Sequence, residues 1–300
     1  ISIQLIKLFK VRFDPVLKHR EGNYQILLDE TNRIIENFSS GRRFLDELRR
    51  EIFNCGLSFV SNTLKTNFFI PDKLALAFRL DPAYLGELSN MATQALPADR
   101  PFRVTYFHSE LGMGFHIGFS DIARGGWRTI MTKGRDDYET SASTVFKECY
   151  LLAHTQHLKN KDIYQGGSKM VTILNVGDEY NIENINKFLY ELQRGFINAL
   201  LDIYLTEKGK PKNPLVVDYY SEDETIELGP GENLHNVMAE RIADVAEKRG
   251  YFLGAGIISS KKAGINHKAY GVTSIGLVKF AEVSMKELGI DIYKDPFTVK

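Results

Sequence analysis

From about residue 102 onward, short alternating or β-branched runs take turns with long stretches of helical periodicity, and this alternation limits the chain to few architectures. "FRVTYFH" sets Phe102, Val104 and Tyr106 on one side of an extended segment. "LGMG" reads as a turn, and "FHIGFSDI" repeats the pattern with Phe115, Ile117 and Phe119. The pair predicts an antiparallel hairpin. A helical stretch follows from about Asp136 to Lys159, with Tyr138, Val145, Phe146, Cys149, Leu152 and Ala153 on one side. "MVTILNV" reads as a short strand, "NIENINKFLYELQRGFINALLDIYL" as an amphipathic helix and "PLVVDYY" as another strand. "NLHNVMAERIADVAEKRG" and "VTSIGLVKFAEVSMKELG" read as helices closed by Gly250 and Gly289. Strands alternating with helices bury a sheet between helical layers. The expected class is therefore α/β, a mixed sheet flanked by helices, with the hairpin supplying antiparallel pairs.

Upstream, the first hundred residues read mostly as helix. In "GRRFLDELRREIFNCGLSF", Phe44, Leu45, Leu48, Ile52 and Phe53 recur at helical spacing. "ALPADRPF" marks a boundary near residue 97, so a mostly helical segment, 1–98, is expected to precede the α/β part, 99–300.

Charge and cysteine usage remove several classes of function. Lys+Arg and Asp+Glu number 38 each in 300 residues, which argues against bulk electrostatic binding of nucleic acid or of an anionic membrane. A local basic pocket is still allowed. Cys55 and Cys149 make neither a disulfide framework nor a zinc spacing, and a reducing compartment fits. No apolar run reaches the roughly eighteen residues of a membrane span. His154 and His157 have no third ligand at a plausible spacing, so no metal is expected. "LGMGFHIG" and "FLGAGIISS" contain Gly-x-Gly but do not complete a dinucleotide fingerprint. The opening "ISIQLIKLFKVRFDP" is too interrupted by charge for a signal peptide and has no initiator Met, so the chain reads as a piece of something longer.

Three clusters carry chemistry-bearing residues. In "DIARGGWR", Gly125 and Gly126 follow Arg124 and either turn the chain sharply or let backbone approach a ligand. Arg124 is then a surface charge at a strand end or a two-pronged anchor for a carboxylate. In "KNKDIYQGGSKM", Lys159 falls near a helix end, Gly166 and Gly167 suggest a turn, and Lys169 leads into the next strand. A lysine held there among cations and shielded from water would lose its proton more easily, serving as a base or forming a Schiff base. Solvated charge is the competing reading, and it is preferred for Lys161. In "ELGPGENLHNV", Gly-Pro-Gly suggests a tight bend, with Glu232 at a helix start. Glu232 is either an acid stabilised by free backbone N–H groups or a proton-transfer group facing the lysines. His267, in a Gly-rich turn, reads as structural.

In this order the clusters resemble the large NAD-specific glutamate dehydrogenases. "FHIGFSDIARGGWR", "LKNKDIYQGGSKMVTILN", "GPGENL" and "AGINHKAYGVTS" look like successive signature segments of that family across roughly residues 102–300. The resemblance implies roles. Arg124 would bind the side-chain carboxylate of glutamate and Lys159 the α-carboxylate. Lys169 would be the catalytic lysine, and Glu232 stands where the family's catalytic aspartate would be. Gly125, Gly126, Gly167 and Ser168 would lie against the substrate. Arg124 replaces a lysine, Glu232 replaces an aspartate, and Met170 stands where many relatives have glycine.

The implied reaction is oxidative deamination of L-glutamate to 2-oxoglutarate and ammonia in a protein that forms homo-oligomers. The implied compartment is the cytoplasm, or alternatively the mitochondrial matrix. Neither nucleic acid nor membrane is an expected partner. NAD would be bound mainly by a nucleotide-binding domain expected after residue 300. A non-catalytic dicarboxylate or amino-acid sensor, a structural or oligomerisation fragment and a dehydrogenase for another amino acid are the competing readings. Two outcomes are expected: residues 1–300 alone show no appreciable NAD-dependent glutamate oxidation, and the sequence just after Lys300 contains a Gly-rich turn opening a helix. Clear turnover by residues 1–300 in a nicotinamide absorbance assay would contradict the first.

Overall fold

The computed structural model describes residues 1–87, 96–159, 165–177, 182–259 and 269–298. Strands β1 (Thr63–Thr66), β2 (Leu76–Leu80), β3 (Arg103–Ser109), β4 (Gly112–Gly118), β5 (Ile122–Met131), β6 (Gly166–Leu174) and β9 (Thr225–Pro230) form one sheet in the order β1-β2-β3-β4-β6-β5-β9. Pairing is antiparallel from β1 through β6 and parallel for β5–β6 and β5–β9. A small ribbon, β7 (Thr206–Glu207) and β8 (Lys210–Pro211), stands apart. Helices α1 (Ser2–Phe13), α2 (Arg20–Glu36) and α3 (Arg43–Asn62) precede the sheet. Helix α4 (Arg135–His157) links β5 to β6, and α5 (Ile182–Tyr204) follows β6. Helices α6 (Asn236–Lys248) and α7 (Val272–Glu287) follow β9.

The two faces of the sheet are set by strand alternation. Along β6, Met170 and Leu174 face Trp127, Phe196, Leu200 and Ile242 in the layer built with α5 and α6. Val171 and Ile173 face Val145 and Cys149 of α4 and Leu8 and Phe13 of α1. The mixed sheet between helical layers, and the mostly helical stretch at the start, agree with the sequence.

Several local expectations are corrected. The hairpin forms, but its turn falls on Glu110 and Leu111, and "LGMG" runs into β4. Gly125 and Gly126 lie inside β5, and Gly166 and Gly167 open β6, so neither pair makes a turn. Lys169 is accordingly the fourth residue of β6. Gly229 and Pro230 end β9 rather than bending the chain. Glu232 lies in a turn four residues before α6 begins, not at its start. "PLVVDYY" contributes only an isolated bridge, Asp218 to Lys65. Polar groups at and just before it make turns instead: Asn213 Oδ1 accepts from Leu215 N, and Asp218 Oδ1 from Tyr220 N and Ser221 N. Helix α3 forms, but Phe44, Leu48 and Ile52 face solvent, and Leu57 and Val60 make its buried side. Strand β2 pairs with β3 across the proline-marked stretch near residue 97. Gly250 and Gly289 do terminate α6 and α7 with positive φ, +71° and +79°.

One buried charge cluster ties the sheet together. Glu224, immediately before β9, lies 2.9 Å from Lys65 Nζ, 3.0 Å from Arg79 Nη2 and 3.4 Å from Arg103 Nη1, all without solvent access. Arg103 Nη2 also donates to the carbonyls of Ser120, Asp121 and Thr225, fixing the starts of β5 and β9. Burial alone would raise the Glu224 carboxyl, but Arg79, Lys65 and Arg103 outweigh it and hold it at about 2. His116 of β4 is fully buried beside this cluster. Burial, then the charge of Arg103, lowers it from 6.5 to about 3, so it stays neutral.

Both groups titrate lower when folded, so each contributes stability at neutral pH that is lost on acidification. The His116 share declines from about pH 6.5 toward about pH 3, and the Glu224 share from about pH 4.5 toward about pH 2. Glu224→Gln leaves Arg79 and Arg103 without their anion, and Lys65 with only Asp218 at 3.7 Å, and is expected to cost about 3–5 kcal/mol in urea denaturation. His116→Leu should flatten the fall in stability between pH 6 and 4, where each unit of difference in proton affinity is worth about 1.4 kcal/mol. An unchanged slope would show that another group governs that window.

Candidate active site

Three parallel strands supply the floor of the site. Gly126 of β5 pairs with Gly229 of β9, and a Cβ added at Gly126 would lie 3.2 Å from Lys169 Nζ on the other side. Two adjacent glycines therefore leave a bare strip of sheet beside the lysine. Arg124, Gly126 and Arg128 share this face by strand alternation.

The close fit of the elements explains the other glycines. A Cβ at Gly125 would meet the Ser168 carbonyl oxygen at 1.5 Å, and one at Gly167 would meet the His157 nitrogen at 1.9 Å. These glycines serve close approach, not a change of direction. Gly167 N donates to His157 Nδ1 at 3.2 Å, which draws the end of α4 onto β6. Lys159, exposed two residues beyond His157, is close enough for its charge to act on Lys169.

Glu232 reaches the site on a turn locked from below. Gly231 N donates to Trp127 O, and Thr129 N donates to Glu232 O. Asn233, in the left-handed region at φ 58°, gives its side-chain amide to Thr129 O at 2.7 Å. Gln193 of α5 donates to both Thr129 Oγ1 and Asn233 O. The polar spine through β5 thus holds the turn while the Glu232 side chain stays 61% exposed.

Arg128 stands between the charged groups. Its Nη2 is 2.7 Å from Glu232 Oε2, and its Nη1 is 2.7 Å from Glu148 Oε1 on α4. Lys169 is half-buried, and its ammonium is destabilised first by burial and then by Arg128 and Lys159, while Cys149 and Glu148 act against them. Its proton affinity is net lowered. Such a lysine can act as a base near neutrality more readily than a solvated one. Cys149 is pushed up to about 12 by burial, so its thiol stays protonated beneath the strand.

Of the residues singled out from sequence, Lys169 feels the charges of both Arg128 and Lys159, and Glu232 lies 2.7 Å from Arg128. Arg124 lies on the same face, one strand repeat before Gly126 (about 7 Å), with its side chain exposed. Gly125 and Ser168 face the opposite layer, where Ser168 is fully buried. Met170 also points there, into the core below Trp127, its partner across the ladder. That packing accounts for a large apolar side chain directly after Lys169. Lys161 and His267 lie outside the described residues. Two hollows of about 680 and 920 Å³, one against β2, β3 and α5 and one between α2 and α3, contain none of the site residues. Among the described residues no group of three or more His, Cys, Asp or Glu could hold a metal ion. Sequence reasoning missed Arg128 and Glu148. The signal for Arg128 was its spacing, two residues past Gly126 and four past Arg124, but leaving open whether the glycines turn the chain concealed their common face.

Residues 43–300 match the family model described as bacterial NAD-glutamate dehydrogenase, catalytic domain. An NAD-specific glutamate dehydrogenase of Neurospora crassa is 35% identical over 240 residues, covering 78% of this chain and 21% of that protein. Glutamate dehydrogenase 2 of Dictyostelium discoideum is 33% identical over 246 residues, covering 81% and 22%. An NAD-specific glutamate dehydrogenase of Pseudomonas aeruginosa is 27% identical over 311 residues, covering 100% and 18%. The chain spans about a fifth of the length of these relatives.

The two glycines of β5 should respond differently to a methyl group. Gly126→Ala meets the mobile end of Lys169, so the fold should survive with a loss below about 1 kcal/mol, while Gly125→Ala meets fixed backbone and should cost about 3 kcal/mol or more. Thermal and urea unfolding of both variants measure this, and equal losses would mean that β5 and β6 are not held as described.

Proposed function

Because this chain belongs to the bacterial NAD-glutamate dehydrogenase catalytic-domain family, we propose that it supplies the substrate-binding and catalytic groups of an NAD-dependent glutamate dehydrogenase. The reaction is oxidation of L-glutamate to 2-oxoglutarate and ammonia. The observation that carries the proposal is Lys169: a half-buried lysine of lowered proton affinity, beside a glycine floor, with a carboxylate and further cations around it. Residues 99–300 would hold the site, with 1–98 packed before it.

Glutamate has a carboxylate at each end, and two cations of the chain answer them. Arg124 would hold the side-chain carboxylate and Lys159 the α-carboxylate, placing Cα over the Gly126–Gly229 strip. Neutral Lys169 would take a proton from the water that attacks the imino acid. Glu232 would carry protons to and from the amino nitrogen. Activity would then rise with pH through the lowered titration of Lys169. The sheet wall and the end of α4 would limit stray water at the reacting carbon.

NAD would accept the hydride in this chemistry, held mainly by residues other than those assigned to the substrate. The nearest glycine pattern between strand and helix, Gly229 to Leu234, ends in leucine and presents the Glu232 carboxylate where a pyrophosphate would approach. No residue here is therefore assigned to the dinucleotide. Homo-oligomerisation and a cytoplasmic or mitochondrial-matrix location belong to the same proposal.

A dehydrogenase for an apolar amino acid would have no use for a cation at the side-chain end, and the exposed Arg124 favours the acidic substrate. In the full-length protein, Lys169→Ala should lower kcat by about 10²–10⁴-fold with unchanged circular dichroism. Arg124→Ala should lower kcat/KM for glutamate by about 10- to 150-fold, the value of a charge-assisted hydrogen bond, with little effect on leucine. Equal losses for glutamate and leucine would remove the role given to Arg124.

A further inference from the structure

The Arg128 guanidinium holds two carboxylates at once, each at 2.7 Å, one on a helix and one on a turn. A strut between α4 and the sheet would need only Glu148, which is as shielded as Arg128 itself, both 30% exposed. The second contact instead reaches out to Glu232, the most exposed member of the three. The locked turn fixes the Glu232 backbone through Thr129 and Asn233 but leaves its side chain several rotamers. Arg128 is the partner that selects one. The planar fork gives one Nη to each acid and fixes their separation and plane, which the rotatable ammonium of a lysine does not.

We propose that Arg128 is a positioning residue of this site: it holds the Glu232 carboxylate on the sheet face that carries Lys169 and the Gly126–Gly229 floor, and Glu148 shares and moderates its charge. The inference rests on reading Lys169 and Glu232 as the proton-transfer pair. It goes beyond that reading in giving the pair a common support with a separable charge and shape. The charge of Arg128 disfavours the Lys169 ammonium, whereas that of Glu148 favours it. The two neighbours should therefore act on Lys169 in opposite directions.

The test has one arm without turnover and one with it. In the first, the lysines of the 300-residue chain are dimethylated with ¹³C, the Lys169 signal is assigned through Lys169→Arg, and its titration is followed by NMR. Arg128→Gln should move the Lys169 midpoint up, Glu148→Gln should move it down, and Arg128→Lys should leave it nearly in place. In the second, the same substitutions are made in the full-length protein. Arg128→Lys keeps the charge but loses the fork, so kcat for glutamate should fall at least about tenfold, while the alkaline-rising limb of the pH profile stays put. Arg128→Gln should shift that limb to higher pH as well as lowering kcat.

A Lys169 midpoint unmoved by Arg128→Gln, or a wild-type kcat in Arg128→Lys, would reduce Arg128 to a strut and overturn the proposal. Should Arg128→Gln fail to fold by circular dichroism, Glu148→Gln and Arg128→Lys decide the matter. If the NMR shifts occur but the full-length protein does not oxidise glutamate, the assigned reaction is wrong and the positioning role stands.

Discussion

Glu224 is a carboxylate without water, held by Lys65 of β1, Arg79 of β2 and Arg103 of β3. It immediately precedes β9, which lies at the opposite edge of the seven-stranded sheet from β1. For one carboxylate to meet all three cations, the sheet must coil until its two edges approach the same point, a direction that strand twist already favours. Arg103 then grips the carbonyls at the starts of β5 and β9. Desolvating so many charges offsets much of their attraction, so the cluster is better understood as fixing register than as adding net stability. Every residue proposed to act on substrate is carried by β5, by β6 beside it, by the end of the helix between them, or by the turn after β9.

What the cluster aligns, the glycines expose. Strand β5 approaches β6 so closely at Gly125, and the end of α4 approaches β6 so closely at Gly167, that no side chain fits, and the paired glycines Gly126 and Gly229 leave the sheet bare beside Lys169. The surrounding charges are then unequal in kind. Lys169 is half-buried and destabilised as a cation, Lys159 and Arg124 are exposed, and Arg128 is neutralised by two acids. One sheet face thus sets exposed cations beside a lysine of lowered proton affinity, the division on which the proposed dicarboxylate substrate rests.

The architecture was legible because it follows from periodicity: the hairpin, the long helices and their terminating glycines all appear near their expected places. The proposed site rests on residue types in order, since the resemblance names Lys159, Lys169, Arg124 and Glu232 without geometry. What sequence reasoning could not supply was the conformation of the glycine pairs. Glycine is compatible with a turn and with a crowded strand, and only the neighbours, Ser168, His157 and Lys169, decide between them. Leaving that choice open hid the alternation that sets Arg128 beside Gly126. It also left Met170 unexplained until the opposite face of β6 was seen to be core. The buried cluster escaped for a different reason. Its members, Lys65, Arg79, Arg103 and Glu224, are far apart in sequence, and nothing local distinguishes them from surface charges.

The central claim is that a dicarboxylate lies across the Gly126–Gly229 strip with a cation at each end. The most direct measurement is a crystal structure of the full-length protein with glutarate, which has both carboxylates and no amine to react. The account predicts one carboxylate within hydrogen-bonding distance of Arg124, the other within reach of Lys159, and Lys169 and Glu232 flanking the chain between them. Glutarate bound elsewhere, or bound on this face with Arg124 turned to solvent, would contradict it.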